Sequence, residues 1–258
     1  MLIAALGDTH GDLGWTNGSI RAAAAAGARL LLQVGDLGFG WPGPGRVRDW
    51  LKLDAWAGRC GVEMVWIRGN HDVAPVPGEP DGRGLLRQGE YIFHLPDGHR
   101  FTVDGVTVGG LGGATSWDRE WRREEEWRKR KPRTLWWPEE PVQEAAAERL
   151  AAGGPVDLLL THEVPTGVVV PYPHRETEAE PFEGYSQQVD RDRGLVARAR
   201  AAVRPRTHVA GHHHIRATLP VPDGGVVEVL GRDGDREGAL VLIDTTTWTV
   251  EPLHWRGS

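Results

Sequence analysis

The 258-residue chain holds a single cysteine, Cys60. That excludes an internal disulfide and any cysteine-built metal site, so a metal would have to be held by His, Asp, Asn or Glu. Cys60 itself reads as a small buried hydrophobe. No apolar run approaches the roughly 18 residues of a bilayer span. The opening MLIAALGDTHG lacks a basic stretch ahead of its apolar residues and meets an acid at position 8. Neither a membrane segment nor a secretory leader is expected, and the expected location is cytoplasmic, with no membrane partner. Basic residues are also in deficit: 30 Lys and Arg against 36 Asp and Glu leave a formal charge of −6. Stable binding of duplex DNA is therefore not expected, although a local basic patch stays open. Neither a Ser/Gly-rich linker nor a repeat divides the chain, so residues 1–258 read as one domain.

Tryptophan, by contrast, is plentiful, with twelve copies against four Phe and three Tyr. Two of them, Trp121 and Trp127, interrupt the charged run DREWRREEEWRKRKPR at 118–133. They could stack on bases or sugars; equally, the run could be a solvated helix with opposite charges four apart. The adjacent pair Trp136–Trp137 reads as the wall of a cleft or lid. Together these residues mark a charged, Trp-rich insertion at about 114–138.

The remaining pattern alternates. The apolar runs LIAAL, RLLLQV and VEMVWI stop at Gly7-Asp8, Gly35-Asp36 and RGNHD (68–72), and helix-forming segments, SIRAAAAAGA and VRDWLKLDAWAGRCG, separate them. Strand, helix, strand in this order implies right-handed crossovers and parallel pairing, which places the three polar clusters along one carboxyl edge. Residues 91–113 read as strands joined by turns at Asp97-Gly98 and Asp104-Gly105. PEEPVQEAAAERLAAGG predicts a helix feeding the strand VDLLL, which ends at His162. From Pro165 to about Asp190 a surface loop is expected, then a helix near 191–203 and the strand THVA before GHHH. The tail reads as an antiparallel hairpin completing a second sheet.

The strand-end clusters, in order, are GDTHG (7–11), GDLG (35–38), GNHD (69–72), THE (161–163) and GHHH (211–214). This series resembles the calcineurin-like metallophosphoesterases, whose signature is D-x-H, G-D, G-N-H-[DE], a lone His and G-H-x-H. Five blocks in the family's order carry the resemblance. In an extended segment residues i and i+2 point the same way, so Asp8 and His10 can grip one ion. By the same rule His212 and His214 face the metals together while His213 points away.

The resemblance implies a four-layer α/β/β/α sandwich with two mixed sheets, and a dinuclear site. One ion would be held by Asp8, His10, Asp36 and His214, and the other by Asp36, Asn70, His162 and His212. Oxygen and imidazole donors suit two divalent ions, Mn first, with Fe or Zn as alternatives. The implied chemistry is attack of a metal-bridging hydroxide on phosphorus, with His71 protonating the leaving oxygen and Asp72 orienting His71. The implied enzyme is a hydrolase of phosphodiester or nucleotide-type substrates, the alternative being a phosphomonoesterase acting on proteins or metabolites. A nuclease subunit and a non-catalytic scaffold are further readings. Its partner would be a small phosphorylated substrate, a nucleotide or RNA end among the candidates. Arg119 could hold a phosphate, or Asp118 before it could simply cap a helix. His174 lies in a loop that could fold over the metals. The segment LGFGWPGPG after Asp36 departs from the phosphoprotein phosphatase branch, which continues with an acid and an arginine.

Overall fold

The computed structural model describes residues 1–38, 46–130, 135–171, 183–235 and 237–254. Its first half is β1 (Leu2–Leu6), α1 (Leu13–Ala25), β2 (Leu30–Gln33), α2 (Arg46–Cys60), β3 (Glu63–Trp66), β4 (Glu79–Pro80), β5 (Leu86–Arg87), β6 (Ile92–His94), β7 (Arg100–Val103) and β8 (Val106–Leu111). There follow α3 (Arg119–Lys129), α4 (Glu144–Ala152), β9 (Leu158–Thr161), α5 (Tyr185–Val203), β10 (Thr207–Ala210), β11 (Ala217–Pro220), β12 (Val226–Val229), β13 (Leu240–Asp244) and β14 (Thr249–Pro252).

Eight strands form one mixed sheet in the order β14-β13-β1-β2-β3-β6-β5-β4, and six form a second, β11-β12-β10-β9-β8-β7. Strand alternation sets the layers. In β2, Leu30 and Leu32 face the core between the sheets, where they meet Val108, Leu158 and Val209; Leu31 faces Ile20, Leu53 and Ala57 of α1 and α2. On the other side Leu159 packs against Leu150 of α4 and Leu195 of α5. The result is the expected α/β/β/α sandwich. Each fully buried Leu or Ile contributes about 1.5–3 kcal/mol of transfer free energy, so the three apolar layers hold the strand ends in register.

Those ends position the site. β1, β2 and β3 run parallel, as do β8, β9, β10 and β12, so the polar clusters of both sheets emerge at one edge. No described helix is long and apolar enough to cross a membrane.

Several elements depart from the sequence reading. The tail does not stay together: β12 joins the second sheet, whereas the hairpin β13–β14 docks antiparallel on β1 in the first. The turn at Asp97-Gly98 carries the chain from one sheet to the other, since β6 and β7 lie in different sheets. α1 starts earlier than its alanine run, because Asp12 caps it by accepting the Trp15 N–H at 2.8 Å. α4 is shorter than expected and begins only after Gln143, past Pro141. α5 begins at Tyr185, so the expected loop is shorter than 165–190. The short strands β4 and β5 have too few residues to show a period. Cys60 is half-buried beside the helix-side core.

Candidate metal centre

The first cluster leaves β1 as Gly7-Asp8-Thr9-His10. Asp8 is fully buried and His10 partly open, and the Thr9 and His10 N–H groups donate to the Asp36 carbonyl at 3.1 and 2.9 Å. The first two clusters are thereby tied together. One ligand atom from each of Asp8, His10, Asp36 and His214 lies within 4.8 Å of the others. Atoms on opposite sides of one ion sit about 4.2 Å apart at usual bond lengths, so this set can close on a single divalent ion with little movement.

A second group adjoins it. The Asn70 amide donates to Ser116 Oγ at 2.6 Å, which turns its Oδ1 toward His162 Nε2 (2.7 Å) and His212 Nδ1 (2.9 Å). His162 Nδ1–H donates to the Val34 carbonyl at 2.8 Å, so Nε2 is the nitrogen left facing inward, 3.5 Å from Asp36 Oδ1. Lone-pair atoms converging in this way need a positive charge between them. Burial alone would lower the His162 pKa, but Asp36 and Asp8 override it and push it up to about 10. A proton stands where a cation fits.

Asp36 belongs to both groups. Its Oδ2 lies 3.7 Å from His10 Nε2, while Oδ1 faces His162 and accepts the His71 N–H at 2.8 Å. This shared carboxylate and the all-oxygen-and-imidazole donor set make a dinuclear metal-binding site.

The local backbone differs from the extended geometry expected of the i, i+2 pairs. His10, Asp36, His212 and His214 all have positive φ, between 43° and 68°. Their side chains converge because tight left-handed turns follow the strand ends, and strand alternation plays no part. Each such non-glycine residue stores on the order of 1–2 kcal/mol, which the surrounding contacts must hold. Gly69 shows how close these contacts are: a Cβ there would collide with the Asp36 carboxylate.

His71 is partly open and lies beside the cluster, its ring 6.4 Å from that of His10. Burial lowers its pKa even though Asp36 opposes the shift. Asp72, next to it in the chain, is buried. Its oxygens accept the N–H groups of Gly69 (2.8 Å), Gly38 (2.9 Å) and Leu37 (3.2 Å), so it braces the loop that carries His71. Burial, with Asp36 nearby, raises its pKa to about 6.

Two carboxylates escaped the sequence reading. Asp233 Oδ1 lies 2.7 Å from His10 Nδ1 and selects the ring orientation that aims Nε2 at Asp36. Glu163, buried next to His162, accepts from His213 Nε2 at 2.8 Å and from Arg193 at 3.3 Å, so His213 does point away from the cluster. The THE triplet contained a signal for Glu163, an acid directly following a ligand-type histidine; GRDGD contained none for Asp233.

The insertion is built around Arg122. This buried side chain binds both Glu140 oxygens at 2.8 Å, Asp118 at 3.0 Å and the Leu135 carbonyl at 2.9 Å. Asp118 makes no side-chain cap to α3. Arg119 is engaged by Glu120 at 2.9 and 2.7 Å, which neutralises the cation offered to a phosphate. Trp137 is core rather than cleft wall, being 2% exposed, whereas Trp136 is half-buried under Arg123. His174 lies outside the described residues.

Residues 1–216 match the family model described as calcineurin-like phosphoesterase. No curated protein sequence matches significantly. The fold is similar to the crystal structure of TT1561 of Thermus thermophilus, at 15% identity over 99% of both chains with a TM-score of 0.54. Another crystal structure aligns at 14% identity over 99% of both chains with a TM-score of 0.56. At these identities the likeness is one of fold.

Proposed function

We propose that this chain, which belongs to the calcineurin-like phosphoesterase family and is a metal-dependent phosphoesterase, hydrolyses phosphodiesters of the nucleotide type. The observation that carries the reading is Asp36, whose two oxygens serve two adjoining donor groups. Asp8, His10, Asp36 and His214 would hold one ion, and Asp36, Asn70, His162 and His212 the other. When bound, two divalent ions, Mn for preference, supply charge to the phosphoryl oxygens and acidify a water that attacks phosphorus.

The chain's own residues do the rest. Ser116 keeps the Asn70 oxygen turned inward, and Asp233 keeps His10 in one orientation. His71, at the open side of Asp36, delivers a proton to the leaving oxygen; its lowered pKa makes the protonated ring scarcer but a stronger acid. Preference for a diester is supported by the nearby arginines. Arg68, Arg119 and Arg122 are each paired with a carboxylate, which leaves little cationic charge for the second negative charge of a monoester.

The test is hydrolysis of bis-p-nitrophenyl phosphate and p-nitrophenyl phosphate by metal-stripped protein reloaded with Mn. Diester turnover that needs metal and falls at least a hundredfold in Asp36→Asn is expected. Monoester preference would move the assignment to a phosphomonoesterase. For His71→Ala, loss should be small with the good p-nitrophenolate leaving group and about 10²–10⁴-fold with an alcohol leaving group.

A further inference from the structure

Of the charged insertion, the metal centre uses only the start, where Ser116 holds Asn70. α3 starts beside it, three residues after the Ser116 that fixes Asn70, and then runs on past Arg122. Between the far half of α3 and the returning segment 135–138 lies a cavity of about 860 Å³. It is lined by Arg123, Trp127, Arg128, Arg130 and Trp136, with Glu126 at its base.

The chemistry of these walls is specific. The Arg123 guanidinium lies 5.1 Å from the centre of the Trp136 ring, and Trp127 is 85% exposed with no partner covering it among the described residues. The Glu126 carboxylate is already taken by the N–H groups of Leu135 and Trp136, at 2.7 and 2.8 Å. Arg123 and Arg128 share carboxylates on the helix surface, whereas Arg130 has no carboxylate partner among the described residues. Aromatic faces beside the one guanidinium without a carboxylate partner among the described residues, Arg130, fit a base and the phosphate next to it. A volume near the upper end of ordinary ligand pockets leaves room for a whole nucleotide.

We infer that this cavity is a nucleotide subsite, so that the substrate class is a short single-stranded oligonucleotide with one base held by Trp127 and its phosphate by Arg130. The inference rests on the phosphodiesterase reading for the identity of the cleaved bond. At 1.5 Å per residue, α3 carries Trp127 about 13 Å beyond Asp118, so the scissile phosphate at the metals and the held base belong to neighbouring parts of one strand.

The test is binding of a fluorescently labelled single-stranded hexanucleotide, followed by anisotropy in EDTA so that no hydrolysis occurs. Trp127→Ala should weaken binding about tenfold, since base stacking on an aromatic residue is commonly of this order or larger. Trp121→Ala, on the same helix but outside the cavity, should change it less than twofold. Arg130→Ala should flatten the dependence of log K on log salt by about 0.7. Absence of binding by the wild type, equal binding by Trp127→Ala, tighter binding of duplex DNA, or equal displacement by inorganic tripolyphosphate would each overturn the subsite. Hydrolysis of bis-p-nitrophenyl phosphate, which carries no base, reports on the phosphodiesterase reading separately.

Discussion

Replacing Asp233 by alanine should weaken metal binding without unfolding the protein. The carboxylate sits 2.7 Å from His10 Nδ1, and the other nitrogen of that ring faces Asp36. Without it the imidazole can rotate or change tautomer, and loss of such an orienting partner typically costs 10–100-fold in metal affinity. At 1.36 kcal/mol per decade this corresponds to about 1.4–2.7 kcal/mol. The effect on folding should be smaller. His10 and Asp233 are 24% and 28% exposed, so solvent screens the pair and its contribution to stability is below about 1 kcal/mol. For a chain of this size that moves Tm by no more than about 2–4 °C. Mn titration calorimetry on metal-stripped protein, beside thermal unfolding of the same samples, separates the two quantities. Asp233→Asn, whose amide oxygen can still accept the His10 N–H, should recover much of the affinity. The reasoning is refuted if Asp233→Ala binds Mn within twofold of the wild type, or if its metal-free form loses as much stability as it loses affinity.

Gly69→Ala should abolish metal loading, because its Cβ would occupy the space of the Asp36 carboxylate shared by both donor groups. Elemental analysis after Mn loading and dialysis, with far-UV circular dichroism as the control, would expose an error if two ions per chain remained. His94 provides a pH prediction: burial lowers its pKa to about 4, and neither ring nitrogen has a hydrogen-bond partner among the described residues. The folded ring therefore stays neutral where the unfolded one protonates, near 6.5. Its contribution is full above pH 6.5 and is lost as pH falls toward 4, on the order of 2 kcal/mol by pH 5. Urea unfolding at pH 7.5 and pH 5 should show His94→Phe losing less stability than the wild type, and equal losses would contradict the assignment.

The site was legible in the sequence where a ligand follows directly on a strand. Asp8, Asp36, Asn70, His162 and His212 each stand one to four residues beyond an apolar run, and the layered fold brings those ends together. What the residues do not display is contact across the chain. Asp233 reaches His10 over 223 residues of separation, and Glu163 and His213 meet over 50. The reason for convergence was also hidden: His tolerates left-handed φ better than most residues, but that tolerance alone does not mark His10 or His214 as adopting it. The tail misled for a related reason. Alternation in β12 and β13 reports a buried face on each strand but does not say which sheet supplies it.

The docking of β13 on β1 has a consequence in time. β1 pairs early in the chain with β2 but has β13 as its other neighbour, some 240 residues away. The connection between β12 and β13 also supplies Asp233, whose N–H donates to the Asp8 carbonyl at 2.7 Å. During synthesis, Asp8 and His10 of β1 wait on the order of ten seconds or more for that connection and the hairpin after it. Until then β1 is a bare apolar edge, open to pairing with another chain. The contacts that finish the metal centre are thus among those of greatest separation along the chain, and closing them ties completion of the ion site to the pairing of β13 with β1.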